Sequence, residues 1–426
     1  MGIRKLPDTL INQIAAGEVI ERPAFVVKEL IENAIDASST EIEINIKDGG
    51  RSYIIVSDNG NGIEKNELKL SVERHATSKL EHGLGNINFL GFRGEALPSI
   101  ASVSNLIIES IEIGKSEGWA INIDNNKKID FSPCSRIRGT KVLVMNLFKK
   151  IPARLKFLKT NAGENLHSRQ IIRRLALSNP KVKFKVKIDD KEELNLEKEK
   201  DNKDGLRNRV LNIFGKDFVK NSIEFSKNFY YDNDPIFVSG IISLPSLNKG
   251  NQIRQYIFVN GRPIQDRGLS SVIRMSYKDT IPRGRHPIYC IFLKVPNHFL
   301  DVNVHPTKLE VRFQDYNFVK SIIISSITNL LAEKGDRSID LVIKSSLNSA
   351  ITDNRNIEHN QTSFNELKDP PLVKYDINYP NEVLDKLETN HENNFPLGYA
   401  IYQLNRNYIL SISSSGLILI DQHAAH

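Results

Sequence analysis

The sequence predicts an α+β fold, helices laid over a largely antiparallel sheet, and three observations carry that reading. The run Glu41-Ile42-Glu43-Ile44-Asn45-Ile46-Lys47 alternates strictly between polar and apolar residues, as a half-buried strand does. The turn signal Asp48-Gly49-Gly50 then leads into Tyr53-Ile54-Ile55-Val56, which makes a hairpin of residues 41–57. Ahead of the hairpin, Lys28 to Ala37 is helix-compatible, with Val26, Val27, Leu30, Ile31 and Ala34 available to pack on a core.

The remaining elements follow the same periodicities. Residues 8–36 read as helical, interrupted around Gly17 and Pro23. A strand pair falls at 104–111 and 118–123, with Thr140 to Met145 following. Residues 189–204 are dense in Lys, Glu and Asp without a continuous apolar face, which predicts a solvated surface loop. A second unit begins near 205, with strand-like runs at Ile236–Ile242, Gln255–Val259 and Pro287–Val295 and a helical pattern over Val319–Leu331. Between 336 and 394, Asn, Asp, Glu, Lys and Ser dominate and Pro370-Pro371 interrupts. Such a stretch cannot bury enough apolar surface to offset backbone ordering, so it reads as a disordered linker. Order resumes at Leu397 to Tyr402, with strands at 407–412 and 417–420. Four segments result: 1–204, 205–335, the linker 336–394, and 395–426, the last read as the start of a truncated domain.

The length of 426 residues accommodates about three domains. A net charge of +7 and a pI near 9.1 favour a polyanionic partner, although the chain is rich in Asn, Ile and Lys throughout and biased codon usage alone supplies lysine. Cys134 and Cys290 stand far apart with no CxxC pair, which argues against a disulfide framework or a cysteine zinc site. Neither a membrane-spanning run nor a signal-peptide core is present in the sequence, so the expectation is a soluble, cytoplasmic protein.

The chemistry-bearing residues begin on the helix before the hairpin. Glu29, Asn33 and Asp36 stand at i, i+4 and i+7 and share one face. Taken alone, that face reads more readily as a solvated surface; two glycine loops downstream, Asp58-Asn59-Gly60-Asn61-Gly62 and Gly91-Phe92-Arg93-Gly94-Glu95-Ala96, reverse the balance. The common phosphate motifs fail. Gly114-Lys115-Ser116 resembles the end of a P-loop, but Glu109 stands where its first glycine belongs, and Lys65 replaces the third glycine of a dinucleotide fingerprint.

Together these runs resemble the GHKL ATPases and, within them, the MutL family of DNA mismatch repair proteins. Asn12 to Pro23, Arg74-His75-Ala76-Thr77-Ser78-Lys79, Val259-Asn260-Gly261-Arg262 and Asp301 to Lys308 extend the likeness through about residue 335, and it resumes near 396. The resemblance implies a GHKL-type ATPase sandwich followed by a smaller α/β transducer domain. It implies ATP and Mg²⁺ as ligands, with Glu29 as the general base and Asn33 as the protein's ligand to the metal. Asp58 would accept from the adenine amino group, with Gly60 and Gly62 letting backbone approach the base and Thr140 beside the pocket. Gly91, Phe92, Arg93, Gly94, Glu95 and Ala96 would form the phosphate loop. His75, Thr77, Ser78 and Lys79 would belong to a mobile lid, with His75 open to either a structural or a catalytic role. Lys308, from the second domain, would reach the γ-phosphate. Glu32 and Asp36 read as supports of the helix.

Basic residues form two series, one over 150–174 with Lys159, Arg169, Arg173 and Arg174, and one with Arg262, Arg267, Arg274, Arg283 and Arg285. The resemblance implies a groove for DNA between paired N-terminal domains, with Arg267, Lys159, Arg173 and Arg174 as candidate contacts. It also implies a homodimer that couples a MutS-type mismatch-recognition protein to a downstream endonuclease and helicase near the nucleoid. The terminal Asp421-Gln422-His423-Ala424 resembles the start of an endonuclease metal motif, so a latent nicking enzyme is the alternative.

Overall fold

The computed structural model describes residues 20–79, 89–91, 94–124, 129–278, 280–301, 311–332, 399–404, 408–413 and 416–421. They fall into two compact units, Met1–Thr352 and Asp353–His426. The linker expected at 336–394 lies outside the described residues.

The first helix, α1 (Pro23–Asp36), begins at a proline whose fixed φ and missing N–H suit a first turn. It ends where the Ala37 N–H returns to the Asn33 carbonyl at 3.0 Å. Its apolar side, Val26, Val27, Leu30, Ile31 and Ala34, is buried as the periodicity requires. The expected hairpin is present as β1 (Glu41–Lys47) and β2 (Tyr53–Asp58), with Ile44 opposite Val56. Ile42, Ile44 and Ile46 all point inward and are fully buried, each contributing about 1.5–3 kcal/mol of transfer free energy.

Around this hairpin stand α2 (Lys65–Leu70), α3 (Ala96–Val103), β3 (Asn105–Ile111), β4 (Gly118–Asp124), β5 (Ile129–Cys134) and β6 (Gly139–Met145). The chain continues through α4 (Pro152–Phe157), α5 (Asn161–Ser178), β7 (Lys183–Ile188) and β8 (Lys191–Leu196). The result is an eight-stranded sheet ordered β5-β4-β3-β6-β2-β1-β7-β8. It is mixed: β7 joins β1 in parallel, Ile44 beside Val186, while the other neighbours are antiparallel. The parallel pair is possible because α5 supplies the crossover such a connection needs. Helix α5 packs on α1, so the two helices cover the sheet together.

One expectation is corrected here. Within 189–204, Lys191–Leu196 is an edge strand and not a loop; Leu196 faces the core while Lys191 and Glu192 remain exposed. Charged residues on an outer strand discourage further strand addition, which explains a composition that reads as loop.

Helices α6 (Lys203–Phe214) and α7 (Lys216–Lys220) lead into β9 (Ser222–Tyr231), β10 (Asp234–Ser243) and the short β11 (Asn248–Lys249). Next come β12 (Gln255–Val259), β13 (Arg262–Ile264), α8 (Arg267–Met275), β14 (His286–Pro287) and β15 (Tyr289–Lys294). The second sheet has the order β13-β12-β15-β10-β9. Leu269, Val272 and Ile273 of α8 and Val319, Ile322 and Ile323 of a helix over 316–332 pack on it. The first core runs on into this part of the chain: Phe214 stacks on Phe218 and meets the edge of Tyr256, and all three belong to it. In the second unit, Tyr399–Leu404, Tyr408–Ser413 and Gly416–Asp421 form a three-stranded antiparallel meander.

Candidate active site

A cavity of about 690 Å³ opens between α1, the ends of β2 and β6, and the loops before α3. That volume suits a ligand of nucleotide size. Its walls bring together residues that are far apart in the chain: Glu29 and Asn33 from α1, Asp58 and Thr140 from adjacent strand ends, and Lys79 and Gly91 from the loops. Asp36, Gly62, His75, Thr77, Ser78, Gly94, Glu95 and Ala96 line it too. Phe92, Arg93 and Lys308 lie outside the described residues.

At the strand end, Asp58 is buried and one of its oxygens is saturated. Asp58 Oδ1 accepts from the Gly60 N–H at 2.8 Å, from Ser39 Oγ at 3.1 Å and from the Thr140 N–H at 3.3 Å. Among the described residues no bond reaches Oδ2, which is left to accept from a ligand. Burial pushes this carboxyl above the usual range, while the three donors and the Arg136 charge pull it back. Thr140 Oγ1 lies 2.9 Å from Ser110 Oγ, and that serine oxygen also accepts from the Ile63 N–H at 2.8 Å. The strand ends and the glycine loop are thereby tied into one rigid wall.

The structure adds a reason for the glycines. A Cβ on Gly60 would fall 2.6 Å from both the Ala37 carbonyl and Ser39 Oγ, so Gly60 stands behind the wall, pressed against the end of α1. Gly62 lines the cavity at φ +75°, but a Cβ there would meet the Ile111 carbonyl at 1.9 Å. Both glycines therefore let protein approach protein.

At the helix end, charge replaces rigidity. Lys28 is only 3 % exposed, and its ammonium donates to Glu29 Oε1 and to Glu32 Oε2, each at 2.9 Å. Burial alone would lower its pKa, yet the two carboxylates hold the ammonium well above the ordinary lysine range. A turn further on, Lys79 Nζ donates to Asn33 Oδ1 at 3.0 Å and to Asp36 Oδ2 at 2.6 Å. Asp36 also accepts the Leu90 and Gly91 N–H groups, each at 2.9 Å, so it fastens the glycine loop to the helix. His75 adopts φ +61° with its ring exposed, and its Nδ1 lies 3.9 Å from Glu95 Oε1. The N-terminus of α3 borders this end of the cavity through Glu95 and Ala96, where unsatisfied N–H groups favour an anion.

Arg262, named in the basic series of the second domain, lies beside this end of the cavity. It donates to the Phe89 carbonyl at 2.8 Å, and burial lowers its pKa against the pull of the Glu32 and Asp36 charges. Arg174 is half-buried, its guanidinium 5.9 Å from the Tyr256 ring and beside the amide of Gln265, the residue after β13 of the second sheet. Arg173 is half-buried on α5, while Lys159 and Arg267 are exposed, Arg267 at the start of α8. Lys28, Ser39 and Arg262 escape a sequence reading of the site, because only proximity in the fold gives them partners.

Helices over a mixed sheet, with a nucleotide-sized cavity between helix face and strand ends, define an ATPase of one class. Residues 21–148 match the family described as histidine kinase-, DNA gyrase B-, and HSP90-like ATPase, and residues 210–332 match the DNA mismatch repair protein, C-terminal domain. The DNA mismatch repair protein MutL of Rhizobium rhizogenes is 39 % identical, over 100 % of this chain and 74 % of that protein. MutL of Rickettsia bellii is 36 % identical over the same shares. Among solved structures, the N-terminal domain of a DNA repair protein superposes with a TM-score of 0.66 at 27 % identity, covering 76 % of this chain and 98 % of that one. The Aquifex aeolicus MutL ATPase domain complexed with ADP gives 0.50 at 29 % identity, covering 65 % and 93 %. The chain belongs to the MutL family of DNA mismatch repair proteins.

Proposed function

We propose that the cavity binds ATP with its adenine at the Asp58–Thr140 end and its phosphates between Asn33, Gly91 and the N-terminus of α3. The observation that carries this is the single cavity joining a half-saturated carboxylate to an acid-bearing helix face. Asp58 Oδ2 accepts from the adenine amino group. Glu29, held by Lys28, orients and deprotonates the water that attacks the γ-phosphate. Phe92 and Arg93 complete the phosphate loop, Thr77, Ser78 and Lys79 close over it, and Lys308 reaches the γ-phosphate from the second domain.

Asn33 fits a small hard cation: its Oδ1 already carries a positive group, the Lys79 ammonium, in the cation's stead. Magnesium takes few protein ligands and otherwise keeps water and phosphate oxygens, as one carboxamide would allow. Bound there, Mg²⁺ would neutralise charge on the phosphate oxygens. For Asn33 to serve, Lys79 has to move aside.

In DNA mismatch repair, we propose, hydrolysis times a dimeric clamp on DNA that couples a MutS-type protein to downstream incision and unwinding. The segments 1–204 and 205–335 act as ATPase and transducer, and 395–426 contributes to dimerisation. Among the described residues no helix is long and apolar enough to cross a membrane, and a nucleoid-associated cytoplasmic protein fits that role. Light scattering with a non-hydrolysable ATP analogue is expected to show dimers; a protein that stays monomeric would remove the clamp. Lys159, Arg173 and Arg267 contact DNA phosphates, so affinity should fall steeply between about 50 and 200 mM salt. A salt-insensitive affinity would exclude such a groove. The nicking alternative is not favoured: the relatives match as ATPases and mismatch repair proteins.

A further inference from the structure

The loop between β5 and β6 carries an arginine that does not itself line the cavity and yet braces two residues that do, Asp58 and Thr140. Arg136 Nε donates to the carbonyls of Arg138 at 3.0 Å and Gly139 at 3.1 Å. Its Nη2 donates to Ser57 Oγ at 2.9 Å and to the carbonyls of Asp58 at 2.9 Å and Thr140 at 3.0 Å. The β2–β6 ladder ends at the pair Ser57 and Lys141. Beyond that rung β2 and β6 no longer pair with each other, although Asp58 still pairs with β1 and Thr140 with β3, and the guanidinium donates to the carbonyls of both ends. The gap it bridges is narrow: Gly139 sits at φ +73°, and a Cβ there would lie 2.3 Å from the Asp58 carbonyl.

We infer that Arg136 is a positioning residue for base selection, fixing the Asp58 backbone from behind so that Asp58 Oδ2 stands where an adenine amino group donates. The inference rests on the reading of Asp58 given above. The Asp58 carbonyl is held by Arg136, while its Oδ1 is held by Gly60, Ser39 and Thr140. With both ends of the residue pinned, Oδ2 has one place to be. A planar guanidinium is needed, because its fork spans acceptors on two strands that a lysine ammonium, a single point, cannot reach together. Guanine offers a carbonyl oxygen where adenine offers an amino group, so a fixed carboxylate repels it. A loosened carboxylate discriminates less.

The test compares steady-state hydrolysis of ATP and GTP by the full chain, for wild type, Arg136→Met, Arg136→Lys and Asp58→Asn. Arg136→Met is expected to raise KM for ATP about tenfold, the equivalent of about 1.4 kcal/mol, with kcat at saturation unchanged and the ATP-over-GTP preference reduced. Arg136→Lys should fall between Met and wild type, and it decides the matter if the Met variant folds poorly in thermal melts. A purely structural role would lower kcat for both nucleotides equally and leave KM and the preference alone; that outcome overturns the inference. So does an unchanged Arg136→Met when Asp58→Asn loses ATP binding. If Asp58→Asn itself binds and selects ATP as wild type does, the failure belongs to the adenine reading beneath it.

Discussion

The two ends of the cavity are built by opposite means. The end proposed to hold adenine is made of strand termini, backbone donors and close-packed glycines. The phosphate end is made of ion pairs and loop segments, and Lys79 sits on the oxygen proposed to hold a metal. Rigid groups prepay the entropy of recognition, whereas exchangeable ion pairs leave the reactive end free to switch. On the proposed reading the difference separates selectivity from timing: base selection belongs to the sheet, and turnover belongs to the helix face and the loops beside it.

Three experiments break or sharpen that contrast. The largest effect is expected from Glu29→Ala, which should lower turnover by about a hundredfold or more while ATP still binds at the intact adenine end. Hydrolysis rates beside equilibrium nucleotide binding check it, and unchanged turnover would take Glu29 out of the chemistry. Gly62→Ala probes the rigid end. Its methyl would be driven against the Ile111 carbonyl at a left-handed φ, costing about 1–3 kcal/mol in thermal or denaturant unfolding. A variant as stable as wild type would mean that this wall yields.

The smallest effect concerns Asp58 without nucleotide. Because burial raises its carboxyl in the folded state, its contribution to stability is full below the ordinary value of 3.8 and is lost as pH rises through the raised one. At neutral pH the ionised carboxylate therefore weighs on the fold. Asp58→Asn should match or slightly exceed wild-type stability at pH 7, with the advantage shrinking on acidification. A variant clearly less stable at pH 7 would show that the carboxylate's hydrogen bonds outweigh its burial.

The elements legible in the sequence are those with one clean face. The β1–β2 hairpin announces itself because each isoleucine of β1 is buried and each neighbour is not. Helix α5 does not, because Glu164, Asn165 and Ser168 are buried among its apolar residues, where they blur the period. Strand β8 hides behind surface charge for the same reason that an edge strand carries it. In the site, Glu29, Asn33, Asp58 and Lys79 stand in runs that sequence can mark. Ser39, Arg136 and Arg262 become partners only when strand ends and loops converge, and no spacing along the chain encodes that. Arg174 stands in a basic run that suggests solvent, and only the fold brings its guanidinium near an aromatic ring.

The parallel rung between β1 and β7 has a consequence for how the chain reaches this state. The β1–β2 hairpin can form locally, but its outer edge waits for a partner that arrives only after β3–β6 and α5 have been made. Closing so distant a contact costs chain entropy before it returns any burial, so the ATPase sheet is slow to complete for its size. Until then the isoleucine-rich β1 presents an open edge, a template for strands of other chains. The strand that borders the cavity's scaffold is thus also the point at which a nascent chain is most exposed to misassembly.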